Sequence, residues 1–238
     1  MVEAPATPVI QVSGVTKNYS GLRPLRIQSL SVRRGERVSI SGLDATAAEV
    51  FVNLLNGAIV PDQGEVRVFG RPTTDIADEN AWLAFLDRFG IVTPRAVLLE
   101  GQTVLQNLVL PFTLDIDAVP ADVQHKTREL AALAQIGKEW FDRRVGDAPA
   151  SVRMRIHLAR AVALGPELLL LEHPTAQIEP EHVKAFATTV RDVVAARHLT
   201  ALAVTQDEGF SDVVADRAYR LQGGTGALAT TRGWRKWF

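Results

Sequence analysis

The 238-residue chain contains no cysteine, which excludes disulfides and thiol catalysis and suits a reducing compartment. It has no excess charge of one sign either. Lys and Arg number 26 against 27 Asp and Glu, so no bulk field draws it to nucleic acid or to an acidic membrane surface. Long hydrophobic runs are missing. The longest, such as Leu168–Leu171, fall far short of the roughly 20 residues that a spanning helix requires. The opening MVEAPATP is acidic and proline-rich without an apolar centre, so it does not read as a secretory signal. There is no His/Cys cluster with metal-ligand spacing, no G-x-S-x-G and no G-x-G-x-x-G. Basic residues are scattered rather than striped, which leaves nucleic-acid binding without support.

What is present is globular: 47 % apolar and 22 % charged residues, in a length that suits one large α/β domain or two small ones. The expectation is a soluble chain whose membrane role, if it has one, runs through a partner. Residues 9–40 alternate apolar and polar side chains, the pattern of half-buried strands, and VRRGE looks like a hairpin turn at Gly35. Another short strand, GEVRVFG, covers 64–70. A helix is expected at about 47–56, with Val50, Phe51, Leu54 and Leu55 on its apolar side and Gly57 as its stop. Residues 78–165 read mostly helical. ELLLLEHP at 167–174 and TALAVTQD at 200–207 read as strands buried on both faces of a parallel sheet, separated by a helix at about 181–197. A final strand is expected at 217–224.

The stretch VSISGLDATAAEVFVNLLNG, residues 38–57, has the layout of a phosphate-binding loop: an apolar strand, a turn of small residues, then an apolar helix. Such a loop works through inward backbone N–H groups at a helix N-terminus, a lysine on the β/γ oxygens and a Ser/Thr hydroxyl on magnesium. Residues 42–49 offer no cation and carry Asp44 and Glu49. Two like charges about 4 Å apart at an effective dielectric near 20 repel by ~4 kcal/mol. A fraction of that, added to the missing cation, is enough to weaken a triphosphate by ~100-fold. Thr46-Ala-Ala-Glu49 also fits a capping box, in which Thr46 and Glu49 would satisfy the helix N-terminus from within. The competing reading is that this common pattern is incidental.

From about residue 9 to 232 the order of pieces resembles the nucleotide-binding subunit of an ATP-binding-cassette (ABC) transporter, of the short stand-alone kind. The resemblance rests on GVTKNY, GAIVPDQGEVRVFG, TVLQNLVLPF and RMRIHLARAVALGPELLLLEHPT as well as on the loop. It implies an α/β fold: a P-loop NTPase-like core with a mixed, largely parallel sheet, a small antiparallel β subdomain and an inserted helical subdomain at about 78–165. Residues 233–238, GWRKWF, form a basic-aromatic tail outside it, suited to a membrane interface but more simply packed on the domain or a partner. Set against the family's pattern, Gly42 is kept. Ala45 and Ala47 replace glycines, Ala48 the lysine and Glu49 the hydroxyl residue. Pro94 stands for the glutamine, Ala148-Pro149-Ala150-Ser151 for the signature, Glu172 for the Walker B aspartate, His173 for the catalytic glutamate and Gln206 for the switch histidine.

By this resemblance the nucleotide site comprises Tyr19, Gly42, Leu43, Asp44, Ala45, Thr46, Ala47, Ala48, Glu49 and Glu172, with His173 and Gln206 at the catalytic positions. Tyr19 would stack on adenine, or simply pack locally. His173 could orient water, or be a polar strand-end residue. Glu172 could ligate magnesium, or bond nearby backbone. Arg153 and Arg155 read as a solvated helix face, and Asp207 and Glu208 as caps for the segment that follows. The expected function is a degenerate cassette subunit that is structural or regulatory and binds or hydrolyses little or no ATP, so no cofactor is expected. The alternative is a transport-coupled ATPase holding ATP and magnesium, and a third reading is a free-standing interaction protein on the same fold. Expected partners are a membrane permease subunit and a second cassette in a homo- or heterodimer, at the cytoplasmic inner face of the cell membrane.

Overall fold

The computed structural model describes residues 7–232. Its strands are β1 (Ile10–Lys17), β2 (Leu25–Val32), β3 (Arg37–Ser41), β4 (Gln63–Val68), β5 (Arg71–Pro72), β6 (Phe89–Val92), β7 (Leu168–Glu172), β8 (Thr200–Val204), β9 (Arg217–Gln222) and β10 (Ala227–Arg232). Its helices are α1 (Ala45–Leu55), α2 (Glu79–Leu86), α3 (Val104–Val109), α4 (Ala121–Leu133), α5 (Ala150–Val162), α6 (Pro180–Ala196) and α7 (Glu208–Val214).

Two sheets divide the strands. One is antiparallel, in the order β2-β1-β4-β5. The other runs β10-β9-β3-β8-β7-β6, with β6, β7, β8, β3 and β9 mutually parallel and β10 antiparallel at the edge. The runs LLLLE and TALAV form its centre, and every residue of both is buried. Successive side chains leave a strand on opposite faces. Accordingly Leu169, Leu171, Ala201 and Ala203 join the apolar cluster under α4, α5 and α6, whereas Leu168, Leu170, Leu202 and Val204 join the cluster formed with α1 and the antiparallel sheet. Each of the leucines and Val204 contributes about 1.5–3 kcal/mol by leaving water, and the alanines less.

Three local expectations need correction. Gly35 does turn the chain, but β2 and β3 lie in different sheets, so the turn is a crossover and not a hairpin. The segment 78–165 contains β6, whose four residues are too few to break a helical reading. Gly90 there lets α5 press onto the strand, since a Cβ would lie 2.4 Å from the Ala161 carbonyl oxygen. The last expected strand ends at Gln222, and the chain returns as β10, whose small Ala and Thr side chains give little apolar alternation. The tail at 233–238 lies outside the described residues.

Candidate functional site

The turn at 42–49 follows β3. Gly42 adopts φ +90°, and a Cβ there would lie 2.6 Å from the Leu221 carbonyl oxygen, so glycine is required on two counts. Gln206, beyond β8, clasps the turn: its Oε1 accepts from the Gly42 N–H at 3.3 Å and its Nε2 donates to the Leu43 carbonyl at 2.6 Å. Leu43 is buried beneath, while Asp44, Ala45 and Thr46 are exposed.

Helix α1 begins here with Asp44 as its N-cap. The Asp44 carboxylate accepts from the Ala47 N–H at 2.8 Å, which satisfies one of the orphan donors of the first turn and places an anion at the positive end of the helix dipole. The Thr46–Glu49 capping box is therefore corrected. Thr46 lies inside the helix and Glu49 turns away from the N-terminus. The cap depends on which residue has extended backbone, and that is Asp44 at φ −71°, ψ 178°. Ala47 and Ala48 face the core, and Ala48 is fully buried.

Glu49 turns to Arg95, whose Nη1 lies 2.5 Å from its Oε1. The same guanidinium grips Glu172 at the end of β7 with two bonds, Nε to Oε1 at 3.0 Å and Nη2 to Oε2 at 2.6 Å. Glu172 is 3 % exposed, so its charge needs a partner, and the pairing raises the Arg95 pKa, chiefly through the Glu172 hydrogen bond. Both carboxylate oxygens of Glu172 are thus engaged by Arg95. A bidentate fork on one carboxylate and a third contact to another is the geometry for which arginine is suited. The residues present do not fit a magnesium ion in this arrangement, because a cation of the chain already bridges the two carboxylates. Among the described residues no group of three or more His, Cys, Asp and Glu could hold a metal.

His173 follows with φ +40°, an uncommon region for a residue with a Cβ. Its N–H donates to the Val204 carbonyl at 2.8 Å, and its Nε2 is buried without a partner. Tyr19 reaches the loop from the end of β1. Burial raises its pKa, and the Asp44 charge adds to the rise. Tyr19, residues 42–49, Glu172, His173 and Gln206 therefore share one end of the six-stranded sheet. Asp207 caps α7 by accepting from the Phe210 N–H at 2.9 Å, while Glu208 instead pairs with Arg220 at 3.2 Å. Pro149 precedes α5 without a side-chain cap. Arg155 is corrected from a solvated position: its Nη1 donates to the Ala134 carbonyl at 2.9 Å and to Thr189 Oγ1 at 2.5 Å.

Sequence reasoning missed Arg95. The signal was electrostatic: residues 42–49 and 172 supply acids with no nearby basic residue, and a countercharge had to come from elsewhere. It lies 46 and 77 positions away along the chain, out of reach of any local pattern.

A parallel sheet with α1 starting at a strand-end turn, an antiparallel sheet beside it and helices between β6 and β7 is the ATP-binding-cassette architecture. The family model described as ABC transporter matches residues 25–176, and the chain belongs to that family. It is 28 % identical over 226 residues to the methionine import ATP-binding protein MetN of Brucella abortus, covering 93 % of this chain and 59 % of the relative. The chain thus spans about three fifths of the length of these methionine-import relatives. It is 26 % identical to the lipoprotein-releasing system ATP-binding protein LolD of Saccharophagus degradans, covering 92 % of this chain and 96 % of LolD. Among solved structures, the ATP-binding cassette MJ0796 bound to ADP and Pi superposes with TM-score 0.76 at 21 % identity, covering 94 % of this chain and all of that one. The chain cbiO1 from Clostridium perfringens superposes with TM-score 0.79 at 19 % identity, covering 94 % and 87 %. No helix of the described residues is long and apolar enough to cross a membrane.

Proposed function

We propose that this chain is a cassette subunit of a membrane transport system, held at the inner face of the membrane by a permease subunit and paired with a second cassette, and that its own nucleotide site is shut from within. The observation that carries the closed site is the Arg95 bridge between Glu49 and Glu172. With Asp44 on the α1 N-terminus, it leaves a triphosphate facing three carboxylates and a cation already engaged. On this reading the subunit serves a structural or regulatory role. The helical subdomain, about 78–165 in sequence, and the domain limits of 9–232 belong to the same proposal.

The relatives support a second reading more directly: MetN and LolD are both named ATP-binding proteins. In that reading the chain is an ordinary transport-coupled ATPase subunit. Tyr19, the backbone N–H groups of 42–49 and Glu172 hold nucleotide, and Arg95 releases its acids when nucleotide arrives. Titration calorimetry of the purified chain with Mg-ATP separates the two. The closed site gives binding no tighter than millimolar and indifferent to magnesium, whereas micromolar, magnesium-dependent binding establishes the second reading. Co-purification of a permease subunit tests the transport assignment against a free-standing interaction protein.

A further inference from the structure

The chain leaves the six-stranded sheet at Val92 and re-enters it at Leu168. The exit loop 93–102 is the first link to the helices between, α3 to α5. Three alternate residues of that loop are gripped by three different elements. Arg95 reaches Glu49 on α1 and Glu172 on β7. The Val97 carbonyl accepts from Arg160 Nη1, on α5, at 2.9 Å. The fully buried Asn107 side chain, on α3, accepts from the Leu99 N–H at 2.8 Å and donates to the Leu99 carbonyl at 3.0 Å. The side chains of Val97 and Leu99 are themselves exposed, 76 % and 41 %, while Leu98 between them packs on the apolar cluster, so polar grips and one apolar contact hold the loop together. Of the three grips, Arg95 reaches the strand-end site.

We propose that Arg95 is a positioning residue: a built-in ligand that ties the exit loop to α1 and β7 and so sets how that loop, leading into α3, is held against the core with no nucleotide bound. This rests on the closed-site reading above. Its fork meets two carboxylates from two separate core elements, which fixes orientation as well as distance. The trio of Arg95, Glu49 and Glu172 carries a net charge of −1 and so resists displacement by a triphosphate.

Hydrogen exchange on the full chain tests the proposal at three amides that are bonded within the loop region: Ala96 to the Thr93 carbonyl, Leu99 to Asn107, and Gln102 to the Leu99 carbonyl. In Arg95→Gln these exchange about tenfold faster than in the wild type, equivalent to about 1.4 kcal/mol. Arg95→Lys, which keeps the charge but loses the fork, recovers part of the protection. Glu172→Gln moves the same amides in the same direction by less. The amides of α6 stay as protected as in the wild type, so an unfolded variant is recognised at once, and Mg-ATP leaves the wild-type pattern unchanged. Equal exchange in the wild type and in both Arg95→Gln and Glu172→Gln overturns the strut, whatever nucleotide does. Tight Mg-ATP binding by the wild type in calorimetry overturns the closed site instead, so the two failures are distinguishable.

Discussion

Arg95 and Arg155 are both half-removed from water, yet they live by opposite rules. Arg95 is gripped by carboxylates from α1 and β7, and its pKa is raised. Arg155 finds only neutral oxygens, the Ala134 carbonyl and the Thr189 hydroxyl, which in turn donates to Gln135 at 2.9 Å. Burial lowers its pKa. At the strand ends the charge is the point, because Glu172 would otherwise be a lone buried anion. Between α4, α5 and α6 the point is the guanidinium's array of donors, which closes the backbone of one helix end onto another. The same residue type balances charge in one place and satisfies hydrogen bonds in the other.

The largest expected effect belongs to the acid-free side. His157 on α5 is 8 % exposed, and burial, helped by the charges of Arg160 and Arg153, pushes its pKa down to about 4. The unfolded chain, with an ordinary value near 6.5, binds the proton more readily. Its contribution to stability is therefore full above pH 6.5 and is lost as pH falls toward 4, on the order of 3 kcal/mol in total. Urea titrations at pH 7 and pH 5 should show a loss in the wild type that His157→Leu largely abolishes. Parallel losses in both would mean that α5 does not exclude the proton.

Arg155→Ala comes next, at about 2–3 kcal/mol, because oxygens lining a buried seam lose a charged donor. The loss should be the same at 0.05 and 0.5 M salt, since no opposite charge is involved, and a strong salt dependence would break the contrast with Arg95. Glu172→Gln should cost about 1 kcal/mol, the low figure reflecting that Arg95 is half exposed, and its effect should shrink as salt rises. The cap pair comes last: Asp44→Ala loses a similar ~1 kcal/mol, and Thr46→Ala, the smallest effect, stays within about 0.5 kcal/mol. Thermal unfolding of the two variants reads the difference directly, and the reverse ranking would restore the Thr46–Glu49 box.

Much of the frame was legible from pattern. The runs 167–174 and 200–207 read as doubly buried strands because both faces of that sheet are covered. Helix α6 lies within a residue of its expected limits. The loop at 42–49 announced its position by small residues between strand and helix. Less legible was anything that depended on who sits opposite. The capping box failed because T-x-x-E states a possibility, and only the backbone angles of Asp44 decide which residue caps. Strand β6 was hidden by its length, and Arg155 by a helix face that is covered by α4 and α6.

The sequence by itself determined the class of fold, the acidic character of the turn at 42–49 and the absence of any basic residue within it, since these follow from composition and short-range order. Only the tertiary structure decided that those acids are balanced, by an arginine brought in from the far side of β6. Charges interact through space, and the distance along the chain carries no information about the distance across a folded sheet.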